Sequence, residues 1–279
     1  MDSSVARRLY TRHADAMAYI DIQAPDGSRG IGSAFHVGDN VFVTARHVVE
    51  NKRIIEAKIT EPVGITTLEH YRDVLKLEDA ERAAAKYDEM IAPVGIHLWR
   101  HYLDSLEITD GPFFRKDQSA DVAVFRVRKT HPKVGTIKLG IHLDDWVPRA
   151  PWHLTDAIVL GYPPVPLVNE PVLIAARAEI NAFVVPRHSR YVHFILSATP
   201  RGGFSGGVAI MESGEALGLV TSSFLENNLP EQNGFFAVLS IEAILGCLAQ
   251  NGMYPDSLLK EHSDVVRLPP ETVLSIFKT

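Results

Sequence analysis

The sequence predicts an all-β protein with one helical insertion and a closing helix. Three observations carry that expectation. Short apolar runs recur along the chain, each bounded by Gly, Pro, Asn or Asp, the pattern of hairpins in a sandwich or barrel. The stretch 77–91 repeats its apolar residues at helical spacing: Leu77, Ala80, Ala84, Tyr87 and Ile91. At 279 residues the chain could be two small domains or one large β domain, since β barrels often exceed about 200 residues.

Composition removes several function classes. Hydrophobic residues make up 46% and charged residues 22%, enough for a sizeable core in an ordinary globular protein. A net charge of −6 gives no electrostatic case for nucleic acid or an anionic membrane as partner. No apolar run approaches the roughly 20 residues of a membrane span. Arg7 and Arg8 are followed by no apolar core, so the N-terminus does not read as a secretory signal. Cys247 is the single cysteine; it excludes an internal disulfide and fits a reducing compartment. The expected location is cytoplasmic.

The elements follow in order. Residues 1–15 are charged and read as a short helix or a loose arm. Strands are expected at 16–23, 30–37, 41–44 and 53–60, with turns at Pro25-Asp26-Gly27 and Gly38-Asp39-Asn40. The block 61–118 reads as an insertion carrying the Ala-rich helix, which Pro93 ends, and a strand or second helix at 95–102. Strand character returns at 121–128. Residues 131–135 look like a connection between two halves. Further strands are expected at 157–161, 172–185, 191–198, 208–211, 216–222 and 234–238. A closing helix covers 241–251, capped by Ser240 and stopped by Gly252, and 253–279 is read as a tail. The domain so read runs 1–252, with one half at about 16–130 and the other at about 138–240.

One glycine-rich stretch stands out: Arg201-Gly202-Gly203-Phe204-Ser205-Gly206-Gly207, followed at once by an apolar run. A serine on such a turn is a candidate nucleophile, but it needs a base and something to hold that base. His47 supplies the base, after the strand-like Val41–Thr44 run; imidazole titrates near neutrality and can take and return a proton. Asp121 opens an apolar run, where a carboxylate is costly unless paired, and an imidazole N–H would pair it and fix the tautomer. Asp117 and Asp110 are the alternatives for that role. The glycine two before the serine lets the N–H groups of Gly203 and Ser205 point at one oxygen, as oxyanion stabilisation requires.

Thr44-Ala45-Arg46-His47, Asp121-Val122-Ala123-Val124 and Gly203-Phe204-Ser205-Gly206-Gly207 resemble the three motifs of the chymotrypsin-fold serine peptidases. Their order, His then Asp then Ser, matches that fold and not subtilisin. Gly32-Ser33-Ala34-Phe35, Val159-Leu160-Gly161-Tyr162-Pro163 and the run from Phe236 to Ile244 are most similar to bacterial trypsin-like peptidases of the HtrA/Deg type. The resemblance spans about 16–250 outside the insertion. It implies two six-stranded antiparallel Greek-key barrels and a serine endopeptidase with His47, Asp121 and Ser205 as its triad. It further implies that the pocket for the residue before the cut bond is lined by Ala198 to Pro200, Val220 to Ser222 and Gly234 to Phe236. Thr199, Val220, Thr221, Ser222, Gly234 and Phe236 are thus the expected substrate-binding residues. Thr199 stands six before the serine, where an acid would select Lys or Arg. None of the three stretches carries an acid, so an apolar or small residue is expected there. Substrate would add as a strand along 220–222.

This chain departs from those relatives in three ways. The 27 residues after Gly252 cannot make the PDZ domain that usually follows. Phe204 stands where trypsin-like secreted enzymes carry the Asp that pairs with a cut N-terminus. The insertion lengthens the His47–Asp121 separation.

Other readings of the motifs make different demands. A Gly-x-Ser-x-Gly nucleophile elbow needs a helix after the serine, with Asp and His later still; here a strand-like run follows and the only later histidine is His262. His97 and His101 lie four apart but have no third ligand in view, so no metal is expected, and no cofactor. Expected partners are a protein or peptide substrate and a regulatory protein, because an intracellular peptidase without an inhibitor domain needs restraint. The rival function is a latent or inactive barrel that binds peptides for signalling.

Overall fold

The computed structural model describes residues 1–60, 105–132, 134–199, 201–221 and 235–278. The expected helix over Leu77–Ile91, the segment 95–102, the His97/His101 pair, Pro200, Ser222 and Gly234 lie outside these residues.

The first barrel takes β1 (Met17–Gln23), β2 (Arg29–Gly38), β3 (Val41–Thr44), β4 (Arg53–Ile59), β5 (Ile108–Phe114) and β6 (Ala123–Val127). Their order in the sheet is β4-β1-β2-β3-β6-β5. The ends meet through the Lys58–Ser105 bridge and the Leu106 N–H to Ala57 carbonyl bond of 2.7 Å. Between β2 and β3, Asp39 and Asn40 both have positive φ (48° and 60°). That is a two-residue type I′ hairpin, whose twist matches the strands it joins. It aims β3, and so the residues after it, at the seam. Strand β5 falls inside the stretch set aside as an insertion. Its few apolar residues hid it: the sequence Ile-Thr-Asp-Gly-Pro-Phe-Phe is mostly surface and gains its place by pairing with β6.

The second barrel takes β8 (Asp156–Gly161), β9 (Ile174–Val184), β10 (His193–Leu196), β11 (Val208–Met211), β12 (Glu215–Val220) and β13 (Phe236–Ser240). It closes because β11 pairs with both β8 and β12. A short seventh strand, β7 (Lys138–Leu139), adds parallel to β12. The interior is apolar, with Val159, Ile180, Phe194, Leu217 and Val238 in one buried cluster.

Helix α1 (Ser3–His13) precedes β1, and the four-residue α2 (Arg46–Val49) follows β3. The closing helix α3 (Ile241–Gln250) starts after Ser240, which makes no side-chain cap bond. Gly252 leaves it at φ +64°. Nearly every α3 residue is buried, which a helix with one covered face would not need. Cover on the outer side comes from the stretch expected to be a tail: α5 (Pro270–Lys278) packs on α3, and α4 (Asp256–Val266) packs on α5 and β2, with Leu258, Val273 and Phe277 in the same core cluster. Cys247 of α3 is fully buried and its thiol pKa is pushed up to about 12 by burial, so it stays protonated and inert.

Candidate active site

His47 sits in the single turn α2, just past the end of β3. Asp121 lies two residues ahead of β6, between the fully buried Ala120 and Val122. Because β3 and β6 are hydrogen-bonded neighbours, the two positions, 74 apart in the sequence, come together and their side chains meet. One carboxylate holds the histidine twice: Oδ1 accepts the His47 backbone N–H at 2.9 Å, and Oδ2 lies 2.7 Å from Nδ1. An acceptor-only carboxylate at Nδ1 puts the proton there and leaves Nε2 as the basic nitrogen. The carboxyls offered as alternatives are elsewhere. Asp117 faces the Ser119 N–H at 2.9 Å and Arg190 at 3.6 Å, and Asp110 lies within β5.

Ser205 belongs to the other barrel, on two consecutive tight turns. Phe204 N–H reaches the Arg201 carbonyl, and Gly207 N–H reaches the Phe204 carbonyl at 2.8 Å. The third residue of each turn has positive φ: Gly203 at +88° and Gly206 at +85°. Positive φ at that position alone defines a type II turn. Both glycines are also pressed by neighbours. A Cβ on Gly203 would lie 2.6 Å from the Tyr162 carbonyl oxygen, and one on Gly206 only 2.0 Å from that of Ser33 and 2.4 Å from Thr44 Oγ1. Thr44 is three residues before His47, so this contact brings the serine loop and the histidine turn to one seam. After the loop comes β11, a strand and not a helix, which removes the nucleophile-elbow reading.

Phe204 is 4% exposed, with its ring edge-on to Phe236 at 5.8 Å. It packs into the interior of the second barrel, so apolar burial occupies the position at which an acid would otherwise stand.

The expected substrate-binding residues fall into two groups. Thr199 is exposed. Val220, Thr221 and Phe236 are buried. The backbone of Val220 is used internally: its N–H bonds Gly207 O and its carbonyl accepts Gly206 N–H, both at 2.8 Å. Thr221 N–H bonds the Ala237 carbonyl at 3.2 Å. Strand addition by substrate therefore cannot begin at Val220. It has to start at the Thr221 carbonyl or later.

Sequence reasoning missed the role of the buried polar residues that join the barrels. Ser33 and Thr44 of barrel 1 are both fully buried. Tyr162 of barrel 2 reaches Thr60 Oγ1 with its hydroxyl at 2.9 Å. The signal available was small: a serine and a threonine inside strands that are otherwise apolar. His262 is structural, with Nε2 on the Leu139 carbonyl at 3.0 Å and Nδ1 on the Tyr254 hydroxyl at 2.6 Å. Among the described residues, no group of three side chains could hold a metal ion.

The model of the trypsin-like peptidase domain matches residues 32–219. No curated protein gives a match. Among solved structures, the chain is similar to the active form of the Rv3671c protease from M. tuberculosis, at 18% identity and a TM-score of 0.57 over 89% of this chain and 86% of that one. It is similar to the inactive form of that protease at 17% and 0.53, over 90% and 96%. The HtrA-type protease AlgW with tripeptide follows at 15% and 0.53, over 86% of this chain and 61% of that one. At such identities the likeness is one of fold.

Proposed function

From the premise that this chain belongs to the trypsin-like peptidase domain family, we propose that it is a serine endopeptidase acting through Ser205, His47 and Asp121. The observation that carries the proposal is the double hold of Asp121 on His47, which leaves Nε2 as the base. In the proposed reaction His47 Nε2 takes the Ser205 proton as Oγ bonds to the substrate carbonyl carbon. The oxygen becomes an oxyanion, received by the Gly203 and Ser205 N–H groups. The C–N bond then breaks, the leaving amine takes the proton from His47, and water repeats the sequence on the acyl-enzyme. Asp121 stays ionised throughout and steadies the imidazolium.

A protein or peptide is the substrate. The residue before the cut is apolar or small, because Ala198, Thr199, Thr221 and Phe236 offer no carboxylate to a basic side chain. A fluorophosphonate probe tests the nucleophile: wild type should be labelled at Ser205, and Ser205→Ala should not. An unlabelled wild type would count against the proposal. Profiling cleavage of a denatured proteome tests the preference; Lys or Arg before most cuts would overturn it. Labelling without cleavage of casein would narrow the reading to a latent peptidase gated by a partner.

A further inference from the structure

We infer that Ser33, on the first barrel, is a positioning residue that holds the oxyanion loop of the second barrel in shape; this rests on the peptidase reading above. Strand β2 outruns β3: the last β3 residue is Thr44, and its hydroxyl bonds the Ser33 carbonyl at 2.7 Å. Beyond that point, among the described residues, no strand covers the edge of β2, and the serine loop takes the place. Ser33 N–H bonds the Ser205 carbonyl at 2.9 Å. Ser33 Oγ donates to the Gly203 carbonyl at 2.7 Å and accepts the Tyr162 N–H at 2.8 Å.

These bonds act on peptide planes. The plane joining Gly203 to Phe204 is held at its carbonyl by Ser33 Oγ. The plane joining Ser205 to Gly206 is held at its carbonyl by Ser33 N–H and at its N–H by Val220 O at 2.8 Å. Between them lies the plane that carries the Ser205 N–H, and just before them the one that carries the Gly203 N–H. Fixing the carbonyls on either side sets the direction of both candidate oxyanion donors. Ser33 touches neither substrate nor reacting atoms and acts only through the loop. Its hydroxyl donates once and accepts once and the residue is fully buried, so removing it takes a partner from both the Gly203 carbonyl and the Tyr162 N–H.

The same contacts place Ser33 and the nucleophile on different barrels, so the oxyanion donors keep their aim only while the barrels keep their relative position. A transition-state interaction, not ground-state binding, is what Ser33 supports. Ser33→Ala should therefore lower kcat by about 10- to 100-fold, less than the loss of an oxyanion donor itself, with KM little changed. A peptide boronate, which mimics the tetrahedral intermediate, should lose affinity by the same factor. The pH at which kcat/KM falls on the acid side should not move, because His47 and Asp121 are untouched. A kcat within about twofold of wild type, or a rise in KM in place of a fall in kcat, would overturn the inference. If Ser33→Ala does not fold, Ser33→Cys carries the test, since a thiol of similar size is a weak donor: kcat should fall with KM held, and an unchanged kcat overturns the role.

Labelling of wild type by fluorophosphonate is read first and separates the two ideas. If wild type is not labelled, the peptidase reading fails, and the clamp is measured without turnover. Hydrogen exchange across 201–207 should then be about tenfold faster in Ser33→Ala, with β1 and β4 unchanged. Equal exchange in the two proteins would show that Ser33 does not hold the loop.

Discussion

His47 is held by a side chain, whereas Ser205 is held by main chain. On the first barrel a single carboxylate grips both the ring and the backbone N–H of the histidine, and the turn that carries it has ordinary helical geometry. On the second barrel the Ser205 loop is two type II turns pinned by backbone bonds to Val220 and Ser33. The difference teaches where each half is vulnerable. The first depends on the charge and shape of one residue. The second depends on the absence of side chains at Gly203 and Gly206 and on what packs behind the loop.

The largest expected effect breaks the side-chain half. Asp121→Asn keeps the size of the residue but can present its amide to Nδ1, favouring the wrong tautomer. Activity should fall by about 10⁴-fold with little change in melting temperature; kcat near wild type would show that the carboxylate does not set the tautomer.

Breaking the main-chain half should look different. Gly206→Ala drives a Cβ into the Ser33 carbonyl at a φ of +85°. It should lose about 100-fold or more in rate, and stability of the order of 1–3 kcal/mol as well. Gly202→Ala is the control, because its φ is not positive and its Cβ would meet nothing within 4 Å. That change should alter stability by less than about 0.5 kcal/mol. Equal behaviour of the two variants would remove the geometric argument.

Phe204→Ala tests the packing behind the loop. Emptying this site in the second barrel should destabilise by about 3–5 kcal/mol, read as a lower urea midpoint with unchanged slope. A loss below about 1 kcal/mol would mean that the ring is not part of that core.

The smallest expected effect belongs to the buried histidines outside the candidate site. His13, His36, His142, His193 and His262 are all held below their ordinary pKa, chiefly by burial, His13 to about 4. Their unfolded value is about 6.5, so between roughly pH 6.5 and 4 the unfolded chain binds more protons. Stability is thus full above pH 6.5 and is lost as pH falls. Asp144 opposes this, since burial raises it to about 6; its contribution is full below about 3.9 and is lost as pH rises through 6. Five groups against one predict a lower melting temperature at pH 5 than at pH 7.5. A rise on acidification would reverse the sign.

Much of this was legible in the residues. The strands announced themselves wherever short apolar runs met turn residues, as in Val41–Thr44 and Val208–Met211. Strand β5 did not, since its Thr-Asp-Gly-Pro stretch carries no apolar run of its own and is ordered by β6. The helices α4 and α5 fall in the expected tail, which holds Pro255, Pro269 and Pro270. Pro255 stands at the N-cap of α4, however, and Pro270 is the first residue of α5, where a missing N–H costs nothing.

The sequence by itself supplied the candidates: His47, Ser205, a short choice of aspartates, and the two glycines that let the loop turn. Those choices are chemical, and side-chain chemistry is written residue by residue. Only the tertiary structure decided that Asp121 and not Asp117 faces His47, that Phe204 packs inward, that the Val220 backbone is already used, and that Ser33 reaches across to the serine loop. Each of these is a hydrogen bond or contact between positions from 13 to 172 residues apart in the chain, set by how the barrels close and meet. No local pattern encodes it, because the partner of a buried polar group is chosen by the fold that buries it.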